Sequence, residues 1–208
     1  MKEFGYTPEE KRLFKKLNTP SKIQDYLNSL SFNFNEKWGN CMSPRRVMRE
    51  GSADCIEGAL FASAVMEFHG KKPLVLDLRT IKKPYDYDHV VALFKVDGCW
   101  GCISKTNHSV LRYRDPVYKN IRELVMSFFN EYFLDNGQKT LREYSVPINL
   151  NKFNKLTWRT SENDLVQVME GLDEEKHFNI LTQRQIKNLR KAEKIEIEAS
   201  KKAEYRKK

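Results

Sequence analysis

Apolar residues near the start of the chain recur at helical spacing. Ile23, Leu27 and Leu30 fall on one face, and either Thr19 or Ser21 can serve as the N-cap. This pattern predicts a short amphipathic helix.

A second short helical segment covers residues 44–51, and a third covers residues 55–68. The third is apolar or small at almost every position, so it should be buried nearly all round. Ser52 or Asp54 can cap its start, and Gly70 ends it. Its first residue is a cysteine.

Strand patterns follow this helix. Residues 74–78 read as one strand, and residues 89–96 and 99–104 flank Asp97-Gly98. An Asp-Gly pair between two strand patterns is the sequence signature of a tight hairpin. We therefore expect an antiparallel sheet.

The pattern then returns to helical spacing. Asp115 and Pro116 resemble an N-cap followed by a proline in the first turn, and apolar residues at helical spacing continue to Tyr132. Asn136-Gly137 would close this helix.

Later signals are weaker. Residues 144–150 are expected to form an edge strand, because Pro147 cannot donate to a central ladder. Residues 161–164 resemble a capping box before a helix. A last helix is expected from about Thr182, frayed towards its end.

The order of helices, then an antiparallel sheet, then helices predicts the α+β class. The chain of 208 residues is long enough for one core with an appended subdomain. We expect a core over residues 1–137, an extension packed on it over 138–181, and a basic charged helix over 182–208.

The net charge of +9 is concentrated at the C-terminal end. Residues 182–208 carry ten Lys and Arg against four Glu, which leaves +3 for the rest. Such a tail could touch nucleic acid or anionic lipid, but a solvated helix rich in Lys and Glu is the preferred interpretation. Nucleic acid is not expected as a partner.

No apolar run reaches the ~20 residues of a membrane helix, and the N-terminus has no secretory signal pattern. A cytoplasmic location with reduced thiols is the resulting expectation. The four cysteines (Cys41, Cys55, Cys99 and Cys102) would then not be a disulfide framework.

Cys55 at a helix start and His89 at a strand start are the candidate reactive pair. A thiol at a helix N-terminus meets partial positive charge, which favours the thiolate. A nearby imidazole adds to this and can protonate a leaving amine. Each residue alone would ordinarily be structural, and their joint placement is what favours a nucleophile site.

The residues around this pair resemble those of a known family. Gly51-Ser-Ala-Asp-Cys55-Ile-Glu-Gly-Ala59 looks like the cysteine motif of the transglutaminase-like superfamily. The stretch from His89 through Trp100 to Ser104 is similar to its histidine strand, turn and tryptophan. The resemblance covers roughly residues 20–107.

This resemblance implies a papain-like α+β fold with the cysteine helix packed on an antiparallel sheet. It implies thiol acyl-transfer chemistry on amide bonds of peptides or proteins, with Cys55 as nucleophile and His89 as general base and acid. No cofactor and no metal are implied. Hydrolysis is favoured over cross-linking, since nothing suggests a specialised acyl acceptor.

Ser104 occupies the position where the family has an aspartate. A serine hydroxyl can orient the imidazole, but it brings no charge to stabilise imidazolium. Asn107 is the alternative orienting residue, if the chain turns back. The backbone N–H of Cys55 is a natural oxyanion donor, and a second could come from the loop around Trp38 to Asn40.

Arg112 and Arg114 could bind a substrate carboxylate or phosphate through two hydrogen bonds each, although loop salt bridges are an equally simple role. Cys99 and Cys102 form a C-x-x-C without a second pair at zinc-finger spacing, so they are expected to fill space in a strand.

The sequence thus predicts a peptidase, amidase or acyltransferase acting through Cys55 and His89. The alternative is a protein of the same fold with reduced or lost catalysis that binds a peptide or ligand.

Overall fold

The computed structural model describes residues 4–34 and 39–205. The helices are α1 (Pro8–Lys16), α2 (Pro20–Ser29), α3 (Pro44–Glu50), α4 (Cys55–Phe68), α5 (Ile121–Phe129), α6 (Val166–Asp173), α7 (Gln183–Lys187) and α8 (Lys194–Ser200), with a 3-10 helix over Leu150–Leu156. The strands are β1 (Ser31–Phe32), β2 (Ser52–Ala53), β3 (Leu74–Arg79), β4 (His89–Val96), β5 (Cys99–Ile103), β6 (Arg114–Tyr118), β7 (Glu143–Ser145), β8 (Ile148–Asn149) and β9 (His177–Asn179).

Seven strands form one antiparallel sheet in the order β6-β5-β4-β3-β7-β9, with β8 also paired to β3. The β4–β5 hairpin turns at Asp97 and Gly98, whose φ angles are 48° and 80°. Two positive φ angles are what a tight hairpin turn requires, and glycine takes one without steric cost. The α+β class and the antiparallel sheet are confirmed.

The two faces of β4 serve different layers. Val90 and Ala92 belong to the apolar cluster that contains the interior of α4, from Ile56 to Met66. Val91 and Leu93 belong to a second cluster with residues of α5. The strand therefore carries a core on each side, because successive side chains point to opposite faces. As predicted, α4 is buried nearly all round.

The helix predicted from Asp115 is wrong at its start. Arg114–Tyr118 is instead strand β6, paired with β5 alone. Pro116 is tolerated there because an edge strand has N–H positions that need no partner. Helix α5 begins at Ile121, where the side chain of Asn120 accepts the N–H of Glu123.

The capping box predicted at residues 161–164 is also wrong. Helix α6 follows Leu165, which has no side chain that caps it. The carboxylate of Asp164 instead accepts the Cys41 N–H and binds Arg46. Because Asp164 forms this long-range ion pair with Arg46, its side chain does not cap α6.

The C-terminal half differs in detail from the expected elements. The expected edge strand over 144–150 is divided at Pro147 into β7 and β8, and β7 to β9 extend the same sheet. The last helix is two short helices, α7 and α8. Residues beyond α8 then lie alongside residues 107–109, with Ala203 bridging His108. In the described part of the chain, no helix has the length and apolar character needed to cross a bilayer.

Candidate active site

A capping box fixes the first turn of α4. The carboxylate of Asp54 accepts the Glu57 N–H at 3.0 Å, and the carboxylate of Glu57 accepts the Asp54 N–H at 2.9 Å. Glu57 is fully buried and also accepts the Met42 N–H at 2.9 Å. These bonds satisfy N–H groups that a helix start leaves unpaired and hold the backbone of Cys55.

The Cys55 side chain reaches the beginning of β4. Its sulfur lies close enough to the backbone N–H groups of Val90 and Ile56 for both to lower the pKa of the thiol. Val90 directly follows His89, and adjacent Cα atoms are only about 3.8 Å apart. The thiol thus lies beside the backbone that carries the imidazole, although 33 positions separate the two residues along the chain.

The imidazole of His89 is held by a hydroxyl and a carbonyl. Its Nε2 lies 2.7 Å from Oγ of Ser104, and that hydroxyl donates to the carbonyl of Leu111 at 2.6 Å. Because the carbonyl can only accept, the Ser104 proton is committed to it, and Oγ accepts from Nε2–H. The ring therefore carries its proton on Nε2, which leaves Nδ1 as the basic nitrogen.

Gln24 holds the backbone of Ser104. Its amide oxygen accepts the Ser104 N–H at 2.9 Å, and its amide nitrogen donates to the Ser104 carbonyl at 2.8 Å. The amide nitrogen also donates to Asn28. Gln24 is buried on α2, so a helix distant in sequence fixes the serine that orients His89.

Leu111 adopts a conformation that non-glycine residues rarely take. Its φ of 61° costs on the order of 1–2 kcal/mol for an L side chain. Its N–H donates to Glu131 at 2.9 Å, while its carbonyl accepts from Ser104. Glu131 is in turn paired with Arg114. This backbone geometry directs the Leu111 carbonyl at the Ser104 hydroxyl and completes a hydrogen-bond relay from His89 through Ser104 to Leu111.

Burial sets the protonation of the reactive pair. Burial lowers the pKa of His89 to about 4, the charges of His108 and Arg114 lower it further, and the nearby Leu111 backbone carbonyl raises it in part. Burial, followed by the negative charge of Asp54, raises the pKa of Cys55 to about 12. Near neutral pH the Cys55 thiol and the His89 imidazole are therefore both neutral.

The Ile56 N–H at the helix start does lower the Cys55 pKa, which is the direction expected from the sequence. Loss of solvation and the neighbouring Asp54 carboxylate outweigh this effect, so the half-buried thiol stays protonated near neutral pH.

Tyr132 adds an unused donor near the thiol. Its hydroxyl is buried and has no hydrogen-bond partner within residues 4–34 and 39–205. Burial raises its pKa well above the usual value, and the next contribution comes from Cys55. The aspartates Asp77, Asp86 and Asp88 act on it in the same sense. An uncharged phenol therefore lies within electrostatic range of the thiol.

Among the described residues, the amide of Asn107 hydrogen-bonds to Tyr205 and not to the imidazole of His89. Its amide group donates to the Tyr205 carbonyl at 3.0 Å and accepts the Tyr205 N–H at 2.7 Å. Both ends of the amide are thus paired with the C-terminal segment, and the alternative orienting role is withdrawn in favour of Ser104. Arg112 is paired with Glu204 of the same segment at 3.0 Å.

Arg114 is a structural residue here. Its side chain makes five hydrogen bonds, to both the hydroxyl and carbonyl of Ser127, to the carbonyls of Arg112 and Tyr113, and to Glu131. A guanidinium has five N–H donors, so none is left for a substrate. The predicted substrate contact of Arg114 is corrected accordingly.

Two of the other cysteines are on the β4–β5 hairpin, where Cys99 pairs with Val96 and Cys102 with Leu93, and all four cysteines are free. Across the described residues, no three His, Cys, Asp or Glu side chains cluster in a way that could hold a metal ion. The second oxyanion donor was expected around Trp38 to Asn40, and Trp38 lies outside the described residues.

Gln24, Leu111, Glu131 and Tyr132 were missed from sequence as contributors to the site. The amide of Gln24 and the backbone carbonyl of Leu111 belong to no recognisable sequence motif. Tyr132 fits the helical pattern only as an apolar position. In comparisons with known proteins, no protein-family model matches the sequence, and no curated protein matches it.

Proposed function

We propose that this protein performs thiol-dependent chemistry on amide bonds, hydrolysis or acyl transfer, through Cys55 and His89. One observation carries the proposal: the Cys55 sulfur lies near the backbone N–H of Val90, which lowers its pKa, and Val90 follows His89, whose ring is oriented by Ser104. A half-buried thiol and a basic Nδ1 on adjoining backbone are the parts that a cysteine nucleophile needs.

The reaction starts from the neutral pair. As sulfur bonds to the substrate carbonyl carbon, the thiol proton passes to Nδ1 of His89. The tetrahedral intermediate then collapses: the C–N bond breaks, imidazolium returns the proton to the leaving amine, and an acyl thioester stays on Cys55. His89 then takes a proton from water as the water oxygen bonds to the thioester carbon. The C–S bond breaks, the acid is released, and imidazolium returns the proton to the Cys55 sulfur.

Two donors suit the oxyanion of the intermediate. The Cys55 backbone N–H is at the first position of α4, where helix N–H groups lack intrahelical partners. The Tyr132 hydroxyl is buried and without a partner in the described chain, and a charge on Cys55 would raise its pKa. Donors positioned before the reaction stabilise developing charge without reorganisation.

The resemblance to the transglutaminase-like superfamily supports the same reaction class. It rests on the cysteine motif at the start of a buried helix and the His-to-Trp hairpin, and the helix here packs on an antiparallel sheet. The substrates we propose are peptides or proteins. Hydrolysis is preferred because water needs no dedicated acceptor site.

A protein of reduced catalysis that binds a peptide is the second candidate. The observation that favours it is the charge state of the pair. The lowered pKa of His89 disfavours the imidazolium that the reaction needs. Ser104 and the Leu111 carbonyl offer only dipoles to stabilise that charge, whereas an aspartate would offer a full negative charge.

Acylation by p-nitrophenyl acetate separates the two candidates, because this ester needs little leaving-group assistance. An active site would release nitrophenolate in a burst and leave an acetyl group on Cys55, located by peptide mass spectrometry. Cys55→Ser and His89→Gln should each abolish the burst. Cys99→Ser, which removes a half-buried thiol outside the relay, should retain it.

A peptide-amide library then tests amide cleavage. Acetylation that is slow, spread over several cysteines and insensitive to His89→Gln would contradict the enzyme and leave the binding protein. Thermal unfolding of each variant checks that the buried substitution left the chain folded.

A further inference from the structure

A cavity lies at the opposite end of α4 from Cys55. Its volume is about 470 Å³, within the ~300–1,000 Å³ typical of small-molecule sites. Met66 of α4 lines it, and along the helix axis Met66 and Cys55 are about 16 Å apart. The cavity is thus separate from the candidate active site and independent of the proposed function.

The floor of the cavity is aliphatic and aromatic. It is formed by the residue that follows α1 and by residues of α2, α4, β3 and β4, namely Leu17, Ile23, Met66, Leu74, Leu93 and Phe94. Five of these side chains are buried, and Leu74 is partly exposed. Such a floor offers apolar surface and no hydrogen-bond donors of its own, so it suits a hydrocarbon.

The rim of the cavity is basic. Lys71, Lys72 and Lys95 line it and are exposed, and no aspartate or glutamate is among its lining residues. None of the three forms an ion pair within residues 4–34 and 39–205. The ammonium of Lys95 lies 4.3 Å from the Trp100 ring centroid, which also lines the cavity.

The start of α2 adds to the positive potential. Thr19 caps this ten-residue helix, and both Thr19 and Pro20 line the cavity. Helix N-termini carry partial positive charge. Three ammonium groups that form no ion pair with the described residues, together with a helix N-terminus, therefore surround the mouth of an apolar chamber.

We propose that this cavity binds a single-chain anionic amphiphile, with the hydrocarbon chain in the chamber and a carboxylate head at the lysines. The apolar floor supplies the free energy of burial, and the lysine rim selects the charge of the head group. A polar ligand such as a sugar would leave its hydroxyls unpaired against this floor.

Isothermal titration with decanoate, below its micelle concentration, tests the proposal on the full chain. Decanoate should bind at one site per chain, and octanoate should bind roughly fifteen-fold more weakly, at about fourfold per methylene. Decan-1-ol, which has the chain without the charge, should bind about tenfold more weakly than decanoate. Acetate should give no detectable heat.

Variants locate the site. The triple substitution Lys71→Ala, Lys72→Ala, Lys95→Ala should weaken decanoate binding about tenfold. The matched control Lys119→Ala, Lys155→Ala, Lys187→Ala removes the same charge from exposed positions elsewhere and should leave affinity unchanged. Both sets are surface changes, so folding is retained.

Three outcomes would overturn the proposal. Equal weakening in both triple variants would reduce the binding to general charge attraction. Decan-1-ol binding as tightly as decanoate would remove the role of the lysines. An absence of decanoate binding would leave the cavity to a different occupant, such as an acidic segment of another protein.

Discussion

Nε2 of His89 lies 2.7 Å from Oγ of Ser104, so a serine occupies the place where a charged orienting group would be expected. The serine hydroxyl donates its own hydrogen bond to the Leu111 carbonyl at 2.6 Å. The imidazole is thereby fixed in one tautomer by neutral groups. An aspartate would both orient the imidazole and stabilise its positive charge, whereas this serine only orients the ring.

Ser104→Ala should lower both stability and reactivity. It leaves the Nε2–H of His89 and the carbonyl of Leu111 without their shared partner, which costs about 1–3 kcal/mol for a buried group. Denaturant unfolding measures the loss, and the acetylation rate of Cys55 should fall as the imidazole loses its tautomer. The exposed hydroxyl of Ser109 provides the control, Ser109→Ala, expected to be within about 0.5 kcal/mol of the parent.

Gln24→Leu should act on the reaction through Ser104. The substitution removes both hydrogen bonds to the Ser104 backbone, so the serine no longer holds His89 in place. We expect kcat for acetyl transfer to fall with little change in KM, and the acidic limb of the pH profile to move. Asn28→Ala, which removes only a partner of Gln24, should have a smaller effect. An unchanged pH profile in Gln24→Leu would assign the residue to stability alone.

Tyr132→Phe should reduce activity without reducing stability. Deleting a buried hydroxyl that has no partner in the described chain removes a desolvation cost, so unfolding free energy should stay level or rise by about 1 kcal/mol. If the hydroxyl donates to the oxyanion, kcat should fall about 100-fold or more. Full activity in a stable variant would exclude Tyr132 from the reaction.

Alkylation of Cys55 by iodoacetamide should accelerate with pH throughout the neutral and alkaline range. Its pKa of about 12 means that the thiolate fraction keeps rising there. The Cys99→Ser background removes the other half-buried thiol from the measurement. A rate that is already flat between pH 5 and 8 would reveal a thiolate–imidazolium pair instead.

The pKa of His89 predicts acid sensitivity of the fold. In the unfolded chain the imidazole gains a proton near pH 6.5, and in the folded chain only near pH 4. The unfolded state thus binds more protons in this window, so stability is fully present above pH 6.5 and falls as pH drops to 4, by about 3 kcal/mol.

Urea unfolding across this pH window measures the slope. His89→Gln should flatten it, whereas His69→Gln, which changes an exposed histidine at the end of α4, should not. An identical slope in the parent and His89→Gln would show that other groups carry the dependence.

Local sequence patterns predicted most of the helices and strands. They failed at positions where a long-range hydrogen bond or ion pair competes with the local structure. Residues 55–68 are apolar throughout, and Asp97-Gly98 favours one turn, so α4 and the β4–β5 hairpin were predictable. The side chain of Asp164 could have capped α6, and its pairing with Arg46 prevented this. Pro116 fits a first helical turn and an edge strand equally, and only its pairing partner decides between them.

The sequence by itself determined where the two candidate residues lie, Cys55 at a helix start and His89 at a strand start, because each element is set by periodicity and caps within a few residues. Tertiary structure alone decided their surroundings: Gln24 on Ser104, the Leu111 carbonyl behind it, and the burial that makes both groups neutral. The physical reason is that a pKa and a hydrogen-bond relay depend on atoms brought together from distant segments, which no local pattern records.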